Sequence, residues 1–367
     1  MTGTLDLTEF HDELRAVARS MLAAAGAGAA PSWDLVAGSG WIGLEAPQQF
    51  DGAGGGFAEV SIVLDEYGRA AAAGPLPSVA VLAVPVLGLV EPGPARDGLL
   101  SESVAGATVP VLVLGGGGLA APPFRLDSTT GGHVLRGEAG FVLDAPVADR
   151  LLVPAAGPDG TVVLVDVDPG SVGIDVTNQP VLDTTRSFGT VVANGAVIAD
   201  DAVHSFRGDP ARTLQHLYDR AATAVACDSL GLAEAMLDTT VAYVGVREQF
   251  GRKIGSFQAV KHACADMLVA ITVSRRLVAG AVRALVDDAP DAAVAVSMAK
   301  SHVCAAAVDV AGKAVQLHGG MGYTWESGIH VYLKRATLNR SLFGSPGQHR
   351  RRLAERYVIA GQGRPGS

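Results

Sequence analysis

Cysteine is scarce in this chain, with three residues among 367. Cys227, Cys264 and Cys304 lie far apart, each within a helical pattern, and their spacing fits neither a disulfide framework nor a zinc site. We therefore predict that they are buried free thiols of a cytoplasmic protein. None of the nine histidines stands at ligand spacing from another histidine, a cysteine or a carboxylate, so the sequence indicates no metal centre.

Charged residues are also few, at 18%, and acids outnumber bases, which gives a formal net charge of −9. This balance argues against nucleic acid as a main partner. It permits an anionic cofactor, because one nearby arginine outweighs a distant net charge. Hydrophobic residues make up 49% of the chain, so its 367 residues can bury a large core and divide into two or three domains.

Long apolar runs are absent as well. The longest, from 79 to 90, covers twelve residues and contains Pro85, which makes it too short to span a bilayer. The first residues include Asp6 and Glu9 and no basic stretch, so no signal peptide is indicated. These features predict a protein without a membrane segment.

The hydrophobic periodicity changes twice along the chain. Residues 1–105 show helical spacing, and residues 106–205 contain short β-branched segments bounded by Gly, Pro or Asp, which are typical of strands. Residues 206–367 return to a period of 3.6 and predict long helices that pack as a bundle. The helical stripes are Phe10, Leu14, Val17 and Met21; then Leu232, Ala235, Met236, Thr239, Tyr243 and Val246; then Val260, Ala263, Cys264, Met267, Leu268 and Ile271.

Two glycine-rich segments invite a dinucleotide-binding interpretation. Residues 52–57 follow no strand and carry Phe57 where a third glycine would stand, and residues 115–118 lead into Pro122 rather than a helix. We predict a loop at each. The chain contains no nucleophile-elbow or phosphate-loop motif. The basic run 349–352 is interpreted as solvated surface or a subunit contact.

The most informative feature is a pair of segments near the ends of predicted helices. Residues 247–258 read Arg-Glu-Gln-Phe-Gly-Arg-Lys-Ile-Gly-Ser-Phe-Gln, and residues 316–323 read Gln-Leu-His-Gly-Gly-Met-Gly-Tyr. An arginine can form a forked, charge-assisted contact with phosphate oxygens, and a glycine pair lets the backbone approach a ligand closely. Alone, Arg247 would be read as a solvated helical residue. The set as a whole predicts a diphosphate site.

Together these segments resemble the two C-terminal signatures of the acyl-CoA dehydrogenase family, flavoenzymes that desaturate acyl-CoA thioesters. The resemblance implies that the ADP portion of FAD binds here, while the flavin ring sits in the neighbouring subunit. Arg247 would neutralise the diphosphate, and Phe250 would pack near the adenosine. The cofactor-binding residues that the resemblance implies are Arg247, Phe250, Gln258, Gln316, Gly319 and Gly320.

Further segments resemble the same family over most of the chain. They are residues 41–47, 52–57, 64–70, 325–326 and 332–336. The resemblance implies an acyl-CoA dehydrogenase-like fold in three parts. These are an N-terminal α-helical domain (1–105), a central antiparallel β domain (106–205) and a C-terminal four-helix bundle (206–367).

The segment that would hold the flavin ring is missing. Family members carry Thr-Glu-Pro followed closely by Gly-Ser-Asp at the start of the β domain, whereas the matching residues 112–119 contain no Thr, Ser, Glu or Asp. Residues 137–145 resemble the following strand and loop but lack the usual tryptophan just before it, with His133 nearby. The polar edge of a flavin ring needs preplaced partners, and this chain offers few.

The catalytic base is missing at both of the family's positions. The reaction needs a carboxylate that reaches the α-carbon of the thioester. The positions that match the family's base hold Phe343 and Ala221. Asp219 and Asp228 lie near Ala221 in sequence, but we interpret both as residues of a helix surface or first turn. We therefore assign no catalytic residue.

These omissions predict a partner subunit, like those of actinobacterial-type α2β2 acyl-CoA dehydrogenases, in which a companion chain supplies the flavin pocket and the base. The substrate implied by analogy is a bulky acyl-CoA such as a steroid side chain. Two alternatives stay open. One is a self-sufficient homo-oligomeric acyl-CoA dehydrogenase that uses Asp219 or Asp228 as an atypical base. The other is a non-catalytic scaffold that binds no flavin.

Overall fold

The computed structural model describes residues 7–115, 122–129, 132–324 and 327–362. The N-terminal part is helical, as the spacing predicts, with a π-helical segment at Val79–Ala83 between two short helices. Residues 52–56 form the predicted loop, and Phe57 begins a helix. The helices are α1 (Leu7–Ala25), α2 (Trp33–Gly38), α3 (Phe57–Arg69), α4 (Leu76–Ser78), α5 (Val84–Gly88) and α6 (Pro94–Val104).

The central strands form one sheet, whose order is β6-β7-β3-β2-β4-β5-β8, with β1 pairing on β4. The prediction of an antiparallel β domain needs a correction, because β4 pairs in parallel with both β1 and β2. Parallel pairing requires a long connection, and the chain between β2 and β4 contains all of β3. The strands are β1 (Pro110–Leu112), β2 (Phe124–Thr129), β3 (Gly132–Leu143), β4 (Arg150–Ala156), β5 (Val162–Val167), β6 (Ile174–Asn178), β7 (Phe188–Ile198) and β8 (Val203–Ser205).

One face of this sheet carries a continuous apolar core. In β2 its members alternate with exposed residues, since Phe124 and Leu126 are buried and Arg125 is exposed, whereas β4 is buried at every position from Leu151 to Ala155. Its members include Val111, Phe124, Leu135, Leu151, Val165 and Val191. Residues 116–118 of the second glycine-rich segment lie outside the described residues.

The C-terminal part is helical again, and a short hairpin interrupts it. The predicted four-helix bundle contains a fifth helix, because the last segment also folds as one. The family-like Trp325 and Glu326 lie outside the described residues. The elements are α7 (Pro210–Val246), β9 (Glu248–Gln249), β10 (Arg252–Lys253), α8 (Gln258–Val286), α9 (Ala292–His318), α10 (Ile329–Ser341) and α11 (Pro346–Gln362).

Helix α9 is the helix around which α8, α10 and α11 pack. Its buried positions repeat at helical spacing, as in Val296, Ala299, Val303 and Ala307, and small side chains let neighbouring helices approach closely. Within the described ranges, one segment, Ala292–Gly322, is long and apolar enough by length and composition to cross a membrane. The core helix of a folded domain has the same composition, and the packing of α9 explains it.

The chain divides into two compact units. One contains the described residues of Met1–Ala29, Ser61–Ala72 and Ala222–Ser367, and the other contains Ala30–Val60 and Ala73–Ala221. This division does not test the predicted boundaries near residues 105 and 205, which stay a prediction. Cys227 and Cys304 are buried free thiols as predicted, whereas Cys264 is half-buried.

Ion pairs attach helix α1 to α3. Arg15 Nη1 donates to Asp65 Oδ2 at 2.9 Å, and Arg19 makes a two-pronged contact with Glu66 at 2.9 and 2.7 Å. The spacing of Phe10, Leu14, Val17 and Met21 predicts this helix correctly, although Phe10 and Val17 are exposed on it. The other oxygen of Asp65 is buried and has no partner in the described part of the chain. Burial and the nearby Glu234 raise the pKa of Asp65 to about 7, against the opposing effect of Arg15.

A buried polar network joins α7, α9 and α10. Asp228 accepts hydrogen bonds from Arg335 Nε at 2.9 Å and from Asn339 Nδ2 at 2.6 Å, and Arg335 Nη2 also pairs with it. Arg335 further donates to the carbonyl of Ala72 at 2.7 Å. Lys300 Nζ on α9 donates to the carbonyl of Asn339 at 3.0 Å.

The same network fixes the chain that follows α10. Lys300 Nζ donates to the carbonyl of Gly344 at 2.9 Å, and burial lowers the pKa of Lys300. His349 Nε2 donates to the carbonyl of Phe343 at 2.9 Å, and its Nδ1 lies 3.2 Å from Ser297 Oγ. The interpretation of residues 349–352 as solvated surface is therefore wrong for His349, which is buried, while Arg350 and Arg351 are exposed.

We predict that Asp65→Asn changes how stability depends on pH. The pKa of Asp65 is about 7 in the folded chain and 3.8 in the unfolded chain. Its contribution to the free energy of unfolding is therefore fully present below about pH 4 and is lost as the pH rises through 7. We expect the free energy of unfolding of the variant, relative to that of the native chain, to be about 1–4 kcal/mol higher at pH 8 than at pH 5. Urea unfolding at both pH values measures it. Asp12→Asn, at an exposed position of α1, is the control. An equal difference at both pH values contradicts this assignment.

We predict that breaking the Asp228–Arg335 pair from one side is costly. Arg335→Met leaves a buried carboxylate without its cation and should lower the free energy of unfolding by about 3–5 kcal/mol. Asp228→Leu in the same chain removes that stranded charge, so the double variant should be more stable than the two single effects predict when added. Urea unfolding of the four chains measures this coupling. Strict additivity would show that the two residues do not interact.

Candidate nucleotide-binding site

The first predicted segment forms a tight hairpin directly after α7. The Arg247 N–H donates to the Tyr243 carbonyl at 2.9 Å, and the Arg247 carbonyl accepts from the Ile254 N–H at 2.8 Å. Strand β9 pairs with β10, so Phe250 and Gly251 alone form the turn, with φ of 53° and 74°. Two successive positive φ values are typical of a type I′ turn, and glycine tolerates this conformation far better than phenylalanine.

The turn presents an aromatic side chain to solvent. Phe250 is 91% exposed, and its ring meets that of Phe257 edge-on, with centroids 6.2 Å apart. The guanidinium of Arg252 lies 4.0 Å over the centroid of the Phe257 ring. An exposed phenylalanine on a strained backbone contributes little to the core of this chain. It is suited to stacking against a flat apolar group of a ligand.

The remaining predicted residues stand at the ends of α8 and α9. Gln258 is the first residue of α8, so its side chain lies beside the partial positive charge of a helix N-terminus. Gln316 is exposed in the last turn of α9, and Gly319 ends that helix with φ of 57° and ψ of −135°. This conformation is nearly confined to glycine.

Gly320 differs from Gly319, because neither its backbone nor its surroundings demand glycine. Its φ is not positive, and a Cβ built there would meet no atom within 4 Å. A Cβ at Gly322, by contrast, would lie 2.6 Å from the carbonyl oxygen of Val315. The absence of a side chain at Gly320 therefore leaves open backbone at the surface, into which a ligand can fit.

The structure brings the two segments together at one end of these helices. Tyr243, in the last turn of α7, stacks on His318, the last residue of α9, with centroids 4.3 Å apart and planes 21° apart. The turn before α8 packs on α7, since a Cβ at Gly255 would lie 2.9 Å from the Val244 carbonyl oxygen. Arg247, Gln258, Gln316, Gly319 and Gly320 are all exposed there. A cation, two amides, an aromatic ring and open backbone suit an ADP group.

The positions that match the family's base are apolar and buried. Ala221 is 2% exposed and Phe343 is 9% exposed. The helix-surface interpretation of Asp219 and Asp228 is wrong, because both are buried within α7. Helix α7 is buried at every position from Asp219 to Leu230, so even its acidic residues lie inside. Gln215 Nε2 donates to Asp219 at 3.1 Å, and Asp228 belongs to the network with Arg335 and Asn339.

Sequence reasoning missed this network. Its signal was an acidic residue within an otherwise apolar helical stretch, Ala-Val-Ala-Cys-Asp-Ser-Leu-Gly-Leu, where a charge must find a buried partner. Within the described ranges, no group of three or more His, Cys, Asp or Glu side chains could hold a metal ion.

Two family models match most of this chain. The model of the acyl-CoA dehydrogenase N-terminal domain matches residues 7–89, and that of the C-terminal domain matches residues 212–358. The acyl-CoA dehydrogenase FadE34 of Mycobacterium tuberculosis is 34% identical over 324 residues, which cover 88% of this chain but 41% of FadE34. The acyl-CoA dehydrogenase IpdE2 of Mycolicibacterium smegmatis is 30% identical over 312 residues, covering 84% of this chain and 82% of IpdE2.

Solved structures with the same fold include two whose names each combine two proteins. A variant of the Tcur3481–Tcur3483 steroid ACAD superposes with a TM-score of 0.84 at 27% identity and covers 97% of this chain and 99% of that one. The ChsE4–ChsE5 complex of Mycobacterium tuberculosis gives 0.85 at 25% identity and covers 97% of this chain and 98% of that one. From these matches, and from the fold and segments above, the chain belongs to the acyl-CoA dehydrogenase family, whose enzymes are FAD-dependent oxidoreductases that act on CH–CH bonds.

Proposed function

We propose that this chain is the partner subunit of a heteromeric acyl-CoA dehydrogenase and supplies the ADP-binding half of an FAD site shared with a companion acyl-CoA dehydrogenase chain. One observation carries the proposal. The residues suited to ADP are exposed together at one end of the helices, while the positions for a base hold buried alanine and phenylalanine. The substrate we propose is a bulky acyl-CoA, and the location we propose is cytoplasmic.

The ADP half is argued from what each side chain can contact. Arg247 offers a guanidinium that can meet two diphosphate oxygens, and its exposure leaves it available to a ligand. Phe250 offers a face for the adenine or ribose. Gln258 and Gln316 can each donate or accept hydrogen bonds. The open backbone at Gly320 fits the close approach of a flat or anionic group, so these residues fit ADP.

The ring half is argued from what is missing. Residues 112–119 contain no hydroxyl or carboxylate side chain, and Leu112 and Leu114 are buried. FAD, when bound, supplies the acceptor for the hydride that leaves the acyl chain. This chain has few groups to orient that ring and no carboxylate at Phe343 or Ala221 to take the proton. The companion chain would therefore hold the ring and the base.

The similar structures support a partner of the same family. Both the steroid ACAD and the ChsE4–ChsE5 complex pair two different proteins. The first is a steroid ACAD by name, which is the basis for proposing a steroid-like acyl group here. An α2β2 assembly follows if each pair holds one FAD and two pairs associate.

Two other functions make different demands on this chain. A homo-oligomeric acyl-CoA dehydrogenase would need Asp219 or Asp228 as its base. Asp228 is a poor candidate, because its oxygens accept hydrogen bonds from Arg335 and Asn339 and a transferable proton would displace them. A flavin-free scaffold would give Arg247 and Phe250 no reason to stand exposed together.

We predict that Arg247→Ala weakens FAD binding by the companion-containing complex about 10- to 150-fold, which corresponds to the roughly 1.5–3 kcal/mol of a hydrogen bond to a charged group. FAD retained after gel filtration and a fluorescence titration of the stripped complex measure this loss. Arg276→Ala is the matched control, because Arg276 is also exposed and lies about 27 Å along α8 from Gln258. If the complex keeps its FAD when Arg247 is replaced by alanine, ADP does not bind at this surface.

We predict that Gly320→Ala weakens FAD binding at least about tenfold while thermal stability changes little, because the chain itself has room for this Cβ. Gly280→Ala, in α8, is the control: its Cβ also meets no atom within 4 Å, and it should leave FAD affinity unchanged. Equal FAD affinity for both variants would mean that no ligand approaches Gly320.

A further inference from the structure

The residues proposed to bind ADP follow two different helices, α7 and α9. A pair of stacked aromatic side chains connects these two helices. Tyr243 lies four residues before Arg247, and His318 lies directly before Gly319. Their rings stack 4.3 Å apart and nearly parallel, and Tyr243 Oη lies 3.5 Å from the His318 carbonyl oxygen. His318 is buried, so the stack stands behind the exposed site residues rather than among them.

The residue that carries each ring is held in a helix next to a site residue. His318 Nδ1 lies 2.8 Å from the Ala314 carbonyl oxygen, which can only accept, so this nitrogen carries the proton and the ring orientation is set by α9. On the other side, the Tyr243 carbonyl accepts the backbone N–H of Arg247. The stack thus joins the turn of α7 that precedes Arg247 to the residue that precedes Gly319.

Helix ends need such a contact, because terminal turns lack part of their hydrogen bonds and fray. A diphosphate bound between Arg247 and the Gly319–Gly320 backbone requires both at a fixed separation. FAD affinity falls if these groups must be ordered at that separation each time the cofactor binds. Nothing in the sequence resemblance gave Tyr243 or His318 a role.

We propose that Tyr243 and His318 form a positioning pair that holds Arg247 and Gly319 at the spacing an FAD diphosphate requires. The proposal rests on the proposed function, since it assumes that ADP binds at this surface. The pair acts through its stacked rings rather than through the Tyr243 hydroxyl, because the 3.5 Å contact is at the long limit of a hydrogen bond.

The test measures FAD affinity in the companion-containing complex by fluorescence titration after removal of the native cofactor. Tyr243→Leu, which removes the stack, should weaken FAD binding about tenfold or more. Tyr243→Phe, which keeps the ring, should restore affinity to within about threefold of the native complex. Val241→Ala, at an exposed position of α7, is the control and should bind FAD normally. His318→Leu is measured alongside, so that one unstable variant does not decide the result.

A second measurement separates positioning from general support of the fold. If the pair positions Arg247, then Arg247→Ala should cost much less in the Tyr243→Leu background than in the native one, because a misplaced arginine has little left to lose. Full additivity overturns the proposal, and so does native affinity of both Tyr243→Leu and His318→Leu. Loss of FAD by Arg247→Ala with native affinity in the ring variants would refute the positioning pair alone. Native affinity of Arg247→Ala itself would refute the ADP site.

Discussion

The arrangement of the C-terminal helices depends on the ion pair between Asp228 on α7 and Arg335 on α10. Both side chains are buried, and a charge in that position is tolerated only when it is paired and fully hydrogen-bonded. Arg335 meets this requirement, and with Asn339 and Lys300 it fixes α10 and the following residues Phe343 and Gly344. The carboxylate of Asp228, the acidic residue of α7 in this network, is therefore engaged by Arg335 and Asn339.

The position of the family's base and the proposed nucleotide-binding surface differ in this chain. Where related enzymes would hold a base, Phe343 lies on a backbone held by Lys300 and His349, and its side chain is buried. Where the nucleotide is expected, Arg247, Phe250 and the glycine pair face solvent. This arrangement suits the proposed assembly, in which two unlike subunits would complete one site.

Much of the fold could be predicted from sequence, because local patterns encode it. The strands near Val111, Leu151 and Val163 follow from β-branched runs, and the long helices follow from the 3.6 period. The six residues proposed to bind the nucleotide were selected by their segment pattern, and the two segments meet through the contact between Tyr243 and His318. Their role in binding FAD stays a proposal.

What sequence could not give depends on contacts between distant residues. Asp228 and Arg335 are 107 positions apart, and no periodicity relates them, so Asp228 was misread as a surface residue. The parallel pairing of β4 with β1 and β2 was missed for the same reason, since strand direction depends on tertiary connections. Helix faces were assigned by hydrophobicity alone, so Leu268, which is exposed on α8, was placed on one face with the buried Met267.

The ratio of flavin to protein tests the central claim most directly. The tagged chain is purified alone from a host that lacks its companion, and separately with the companion from its own organism, and FAD is counted by absorbance against the amount of each polypeptide. We predict almost no FAD on the chain alone and one FAD for each pair of unlike subunits. A yellow preparation of this chain alone, with one FAD per copy and activity towards an acyl-CoA, would contradict that claim.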